Sequence, residues 1–194
     1  MKASRSGWAN KLTNNTLQHN HLSLKNKMAR VLWHSVWLVL YRPTPRPFHA
    51  WRCFLLRLFG AQLGNAVHPY PSARIWAPWN LEMGDHSCLS ESVDCYCVDK
   101  IRIGSNTTIS QYSFLCTASH DYTQEAMPLV SAPITIGERV WITADVFIGP
   151  GVTIGDGAVV TARSCVFSDL PPWMVSRGNP AVPLRPRRFE MKQR

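Results

Sequence analysis

The chain has 194 residues, 45% of them hydrophobic and 17% charged, with a formal net charge of +9. That length suits one ordinary domain with an appended arm, and the composition excludes wholesale disorder. The charge is uneven: residues 1–62 hold ten Lys or Arg and no acid, residues 63–176 carry a net −6, and residues 177–194 a net +5. A mildly acidic body therefore carries basic arms at both ends. The N-terminus lacks the charged-then-apolar pattern of a signal segment. The six cysteines include no Cys-x-x-Cys pair, so reduced thiols in a cytoplasmic protein are expected. Cys95-x-Cys97 lacks the second pair that would complete a metal site, and no metal is expected.

In chain order, residues 1–27 are polar and basic without sustained period, which predicts a disordered tail. Residues 28–61 read as a helical arm. Its first segment, 28–41, is mostly apolar but too short for a bilayer span, which needs about twenty residues. Two readings stand for it. One is a helix covering an end of the body or lying along a neighbouring subunit. The other is an interfacial helix making peripheral membrane contact through residues 28–42, with Trp33 and Trp37 as anchors among basic residues. The first is preferred, because an exposed sheet end needs a cover. Pro43, Pro45 and Pro47 form a stiff break. A second helix is predicted from Phe48 to Phe59, stopped by Gly60, with Arg52 and Arg57 solvated.

From residue 62 to 170 a repeat takes over. Ile136, Ile142, Ile148, Ile154, Val160 and Val166 fall every six positions, and two residues before each sits an apolar or small side chain: Ile134, Val140, Val146, Val152, Ala158, Ser164. A gap of two puts both side chains on one face of an extended segment. Between the pairs lie three-residue punctuators such as Gly149-Pro150-Gly151 and Gly155-Asp156-Gly157, suited to tight corners. Short strands and corners with period six predict a parallel β-helix. Less regular pairs start at Ala73/Ile75, and the set from 73 to 166 predicts a little over four coils. Two corners are long, at 76–80 and 96–100, and a projecting loop at 119–133 breaks the repeat. Past it, Pro171-Pro172 ends the winding, and residues 171–194 form a basic C-terminal extension.

Four features together resemble the hexapeptide-repeat acyltransferases: the hexads, Ser119-His120-Asp121-Tyr122, the Pro133–Ile142 block with Trp141, and Gly178-Asn179-Pro180-Ala181. Within them, the blocks 70–81 and 42–47 are similar to the O-acetyltransferases of colanic acid and other exopolysaccharide biosynthesis. The resemblance implies an all-β, left-handed parallel β-helix and a homotrimer with active sites between subunits. It implies acetyl-CoA as donor and a sugar or glycan hydroxyl as acceptor. It marks His120 as the general base; by position, Glu91 one coil earlier and the adjacent Asp121 are alternative orienting partners that could equally be structural. It places the donor along Trp141, Ala144 and Ala162, with Arg185 near its phosphates, Arg163 and Arg187 being weaker companions. The lysine many relatives carry before the proline pair is absent, since Phe167-Ser168-Asp169 stands there.

Rival classes fare worse. A zinc enzyme would need further histidines near His120. Nucleic-acid binding would need a recognisable module, which the leader lacks. A non-enzymatic β-helix scaffold docking through its basic arms is the remaining alternative, and it makes His120 dispensable.

Overall fold

The computed structural model describes residues 23–188. The tail expected at 1–27 therefore lies outside the described residues as far as residue 22. Helix α1 (Leu24–Val36) starts four residues before the expected position, because the Ser23 hydroxyl accepts the backbone N–H of Asn26 and caps it. It runs into a π-helical turn, Trp37–Tyr41, and after the proline break comes α2 (His49–Leu58), closed by Gly60 at φ 89°.

The solenoid then winds five coils. The first holds β1 (Gln62–Leu63), β2 (His68–Pro69) and β3 (Arg74–Ile75), and the second β4 (Leu81–Met83), β5 (Cys88–Leu89) and β6 (Asp94–Tyr96). The third holds β7 (Ile101–Ile103), β8 (Thr108–Ile109) and β9 (Phe114–Cys116), and is followed by a projecting hairpin of β10 (Ala118–His120) and β11 (Leu129–Ser131). The fourth holds β12 (Ile134–Ile136), β13 (Trp141–Ile142) and β14 (Phe147–Ile148), and the fifth β15 (Thr153–Ile154), β16 (Val159–Val160) and β17 (Cys165–Val166). A closing pair, β18 (Met174–Gly178) and β19 (Ala181–Pro186), turns at Asn179-Pro180.

Stacking makes a three-faced prism. Face one is β1-β4-β7-β12-β15, face three is β3-β6-β9-β14-β17, and face two is β2-β5-β8-β13-β16 extended by β18 and β19. Every spaced pair from Ala73/Ile75 to Ser164/Val166 points inward and is buried. In the last coils, stacked partners stand 18 residues apart, as Trp141 and Val159 do; in the first two they stand 20 apart, as His68 and Cys88 do. The additional residues sit in the long corners, one of which is a 3-10 turn, Pro78–Asn80. The corners differ from expectation in one respect. Tyr112, Arg139, Asp145 and Arg163 are among the non-glycine residues held at positive φ there. Each such residue costs about 1–2 kcal/mol, which the inter-coil ladder offsets. Glycine is required elsewhere, where coils touch: a Cβ on Gly104 would lie 2.5 Å from the backbone carbon of Gly137.

The arm is a lid on the first coil, whose carbonyls have no preceding coil to bond. The indole N–H groups of Trp33 and Trp37 donate to Ile75 O at 2.6 Å and Ala73 O at 2.9 Å, and the Tyr41 hydroxyl to Tyr70 O at 3.2 Å. Arg52 donates to Pro69 O at 2.7 Å, Cys53 to Val67 O at 3.3 Å, and Arg57 to Leu63 O and Gly64 O. Spacing of four along one helical face delivers 33, 37 and 41 to the same side. Two expectations are corrected here. Trp33 and Trp37 are not membrane anchors but buried caps, and Arg52 is not solvated but fully buried. Its guanidinium also donates to Pro45 O, Arg46 O and Thr44 Oγ1, so it ties the proline break to the lid.

Replacing Arg52 with Met should leave several buried carbonyls without a donor, at about 1–3 kcal/mol each. Denaturant unfolding of Arg52→Met should accordingly show a loss of at least about 3 kcal/mol. A loss below about 1 kcal/mol would mean that the lid does not depend on these bonds.

Candidate active site

The loop expected at 119–133 is an ordered hairpin. Ala118, Ser119 and His120 pair with Ser131, Val130 and Leu129 in antiparallel register, and Asp121 N–H bonds Pro128 O at 3.0 Å. His120 is exposed at the strand end, and its Nδ1 lies 2.6 Å from the carbonyl oxygen of Met127. A carbonyl can only accept, so Nδ1 carries the proton and Nε2 presents its lone pair outward. That is the tautomer a general base requires.

Neither expected carboxylate plays the orienting part within the chain. Asp121 accepts from Thr123 N at 3.0 Å, Thr123 Oγ1 at 2.6 Å and Gln124 Nε2 at 2.7 Å, so it ties the hairpin tip. Bonds from the Thr123 hydroxyl, then Gln124, hold its carboxyl below its ordinary pKa. Glu91 forms an ion pair with Arg46 of the proline-rich break. It stands between β5 and β6, on the edge joining faces two and three, whereas the hairpin springs from the edge joining faces three and one. Two different edges of the prism separate them.

The remaining candidates gather on the Glu91 edge and its flanking face. Trp141 projects from β13 on face two, 49% exposed, its indole N–H on Ser110 Oγ at 3.0 Å. Ala144 and Ala162 occupy successive turns of the edge below Glu91, and Arg163 N–H bonds Ala144 O at 3.0 Å. Arg185 lies exposed on β19, which prolongs face two. Its companions are engaged: Arg163 pairs with Asp145 at 3.4 Å, and Arg187 donates to Arg139 O and Gly157 O at 2.8 and 2.9 Å. Thus Trp141, Ala144, Ala162 and Arg185 share one side of the chain, and His120 stands on another. Ser110, Met127 and Arg46 were not foreseen, because a backbone acceptor and a contact from a distant arm leave no local pattern. Among the described residues no group of three or more His, Cys, Asp or Glu could hold a metal ion.

Known proteins share this fold. The chain is 47% identical over 156 residues to WcaF of Escherichia coli (strain K12), assigned to colanic acid biosynthesis as an acetyltransferase, covering 80% of this chain and 86% of that one. The chain belongs to the hexapeptide-repeat acetyltransferase family. No family model matches the chain. Among solved structures, a hexapeptide-repeat acetyltransferase of Vibrio cholerae complexed with acetyl coenzyme A superposes with a TM-score of 0.77 at 30% identity, over 87% of this chain and 92% of that one. A maltose O-acetyltransferase of Clostridium difficile gives 0.79 at 26% identity, over 86% and 90%. The left-handed coils of hexapeptide-repeat acetyltransferases are the fold of this chain, with its N-terminal helical arm. Of the basic C-terminal extension, residues 189–194 lie outside the described residues.

The hairpin geometry predicts a pH effect with a definite sign. A carboxylate whose pKa is depressed on folding stabilises above its unfolded value, and that stability is lost as pH falls through the folded one. The protection of amides across 118–131, taken against the intrinsic exchange rate at each pH, should therefore hold above the carboxylate range and fall as pH drops through it. Asp121→Ala should lower that protection about tenfold at neutral pH. Equal exchange in mutant and parent would remove Asp121 from the account of the tip.

Proposed function

We propose that this hexapeptide-repeat acetyltransferase transfers the acetyl group of acetyl-CoA to a sugar hydroxyl in cytoplasmic exopolysaccharide biosynthesis. We propose further that it works as a homotrimer with His120 as general base. One observation carries the reading: the base and the donor-side residues lie on the two edges that flank face three. The outward side chains of face one are polar or charged, and Glu82 there pairs with Lys100 at 3.1 Å and Arg102 at 2.9 Å. Face three instead bears a column of half-buried rings, Trp76, Tyr96, Phe114, Phe147 and Phe167, with successive centroids 5.4 to 6.3 Å apart. An aromatic column of that kind marks a surface built to be covered. Three copies turning this face to a common axis bring the His120 edge of one beside the Trp141 and Ala144 edge of the next. A closed cyclic assembly does this three times over. The relatives' acetyl coenzyme A complex and O-acetyltransferase activity support the same chemistry.

In this reading Nε2 of His120 takes the acceptor hydroxyl proton as its oxygen attacks the thioester carbonyl carbon. The new C–O bond pushes an electron pair onto the carbonyl oxygen. Its return breaks the C–S bond, and the imidazolium hands its proton to the departing thiolate, leaving an acetyl ester and free CoA. The Met127 carbonyl keeps the ring aligned through both transfers. Transfer within a ternary complex suits the thiols present, since burial raises the pKa of Cys88 and Cys116, the wrong direction for a nucleophile.

The test is release of CoA thiol from acetyl-CoA with a panel of sugars and glycan fragments. His120→Ala should cut sugar-dependent release by about 10²–10⁴-fold while calorimetric CoA binding stays within twofold or so. An unchanged rate would remove His120, and absence of both turnover and binding would favour the scaffold. Assembly is tested by mixing two inactive variants, His120→Ala and Ala144→Trp, whose bulky ring would obstruct the donor edge. Random mixing should restore about a quarter of parental activity, because each site draws its halves from different copies. No restoration would place both halves in one chain.

A further inference from the structure

We propose that the outer side of the N-terminal arm seats this enzyme on the headgroup surface of an anionic bilayer. The inner side of the arm is spent on capping the first coil, yet its outer side is also apolar. Of eighteen large hydrophobic side chains exposed among the described residues, eleven fall between Leu24 and Leu58. On α1, Leu24, Met28 and Leu32 are 72%, 65% and 60% exposed on the side away from buried Trp33. On α2, Trp51, Phe54 and Leu58 form a stripe at helical spacing, 40%, 54% and 67% exposed, opposite the buried residues Arg52, Cys53, Leu55 and Leu56. The two stripes are joined: the Trp51 indole donates to Leu40 O at 2.9 Å and its ring stacks on Phe54 at 5.6 Å.

Charge selects the occupant. Lys25 and Lys27 flank the apolar stripe of α1, Arg42 follows the π turn, and the first 62 residues contain no acid. An apolar stripe edged by cations, without a single carboxylate, fits anionic headgroups over a shallow hydrocarbon layer. No helix among the described residues is long and apolar enough to cross a membrane, so the contact is peripheral. Orientation favours it as well. The lid closes one end of the solenoid, and copies packed side by side around an axis keep those ends level. Three patches then face one plane, which multiplies weak single contacts. That last step rests on the trimer proposed above; the patch itself does not.

The test is co-sedimentation of the full chain with vesicles, without acetyl-CoA or acceptor, so that its failure leaves the transferase reading untouched. Vesicles of phosphatidylcholine with about one-third phosphatidylglycerol should pellet the protein, and phosphatidylcholine alone should not. Lys25→Gln with Lys27→Gln should weaken binding about fivefold per lysine. Phe54→Asp with Leu58→Asp should weaken it at least about tenfold, with the unfolding midpoint and the mass by light scattering unchanged. The proposal falls if the parent stays in the supernatant with anionic vesicles, or if neither double variant alters pelleting. It also falls if the aspartate pair lowers the assembled mass, which would make this side a contact between copies.

Discussion

The structure depends on what happens at an open coil. A parallel β-helix satisfies each strand with the coils on either side, but its first coil has none before it and leaves a ring of unpaired carbonyls. Here every face of that ring receives a donor from the arm: indoles on face three, a guanidinium and a thiol on face two, a second guanidinium on face one. The cap is thus made of side-chain tips on helices rather than a further strand. Burying a guanidinium is costly unless its donors are filled, and Arg52 fills them with four different acceptors across two segments. The same residue that ends the sheet therefore fixes the proline break, and the break carries Arg46 to Glu91. Lid, break and the upper part of the edge between faces two and three form one connected set.

The solenoid was legible because its rule is local. Side-chain alternation of a strand operates over two residues and a corner over three, so a six-residue period exposes both without knowledge of the rest. What escaped needed distance. Arg52 reads as a solvated helix position by type, and only the carbonyls of Pro69 and Pro45, far along the chain or across a break, turn it inward. Trp33 and Trp37 read as anchors as well as caps, although capping is preferred, since an indole is apolar with one donor in either setting. The corners misled in a milder way. Glycine and aspartate mark many of them, but the ladder is strong enough to hold Tyr112 and Arg163 left-handed too.

The site was half legible for the same reason. His120 stood out through its motif, yet its orienting partner is a backbone carbonyl, which every residue has and no sequence advertises. The two carboxylates that looked suited to the role are occupied elsewhere, one by the hairpin tip and one by the arm. The exchange has a chemical consequence. In the proposed mechanism, a carbonyl fixes the tautomer and ring plane without placing a second negative charge beside the attacking oxygen. His120 is then held by geometry, on a hairpin with a paired backbone and a tip tied by Asp121.

The insertion that creates the hairpin also decides where His120 stands. Stacked partners across it, Ile101 and Ile134, remain in register, so the prism passes the interruption unchanged and the added residues project sideways. They leave from the edge after face three because that corner alone separates β9 from β12. The small-residue corners at Ala144 and Ala162 recur on the edge before face three, as the six-residue period requires of residues 18 apart. An even period cannot bring the two edges together within a chain, since each coil returns every face to the same direction. In the proposed trimer, completion comes from another copy, seated on the aromatic column between the edges. The regularity that makes the fold stable is what, in the proposed assembly, leaves the two edges to be joined by a neighbouring copy.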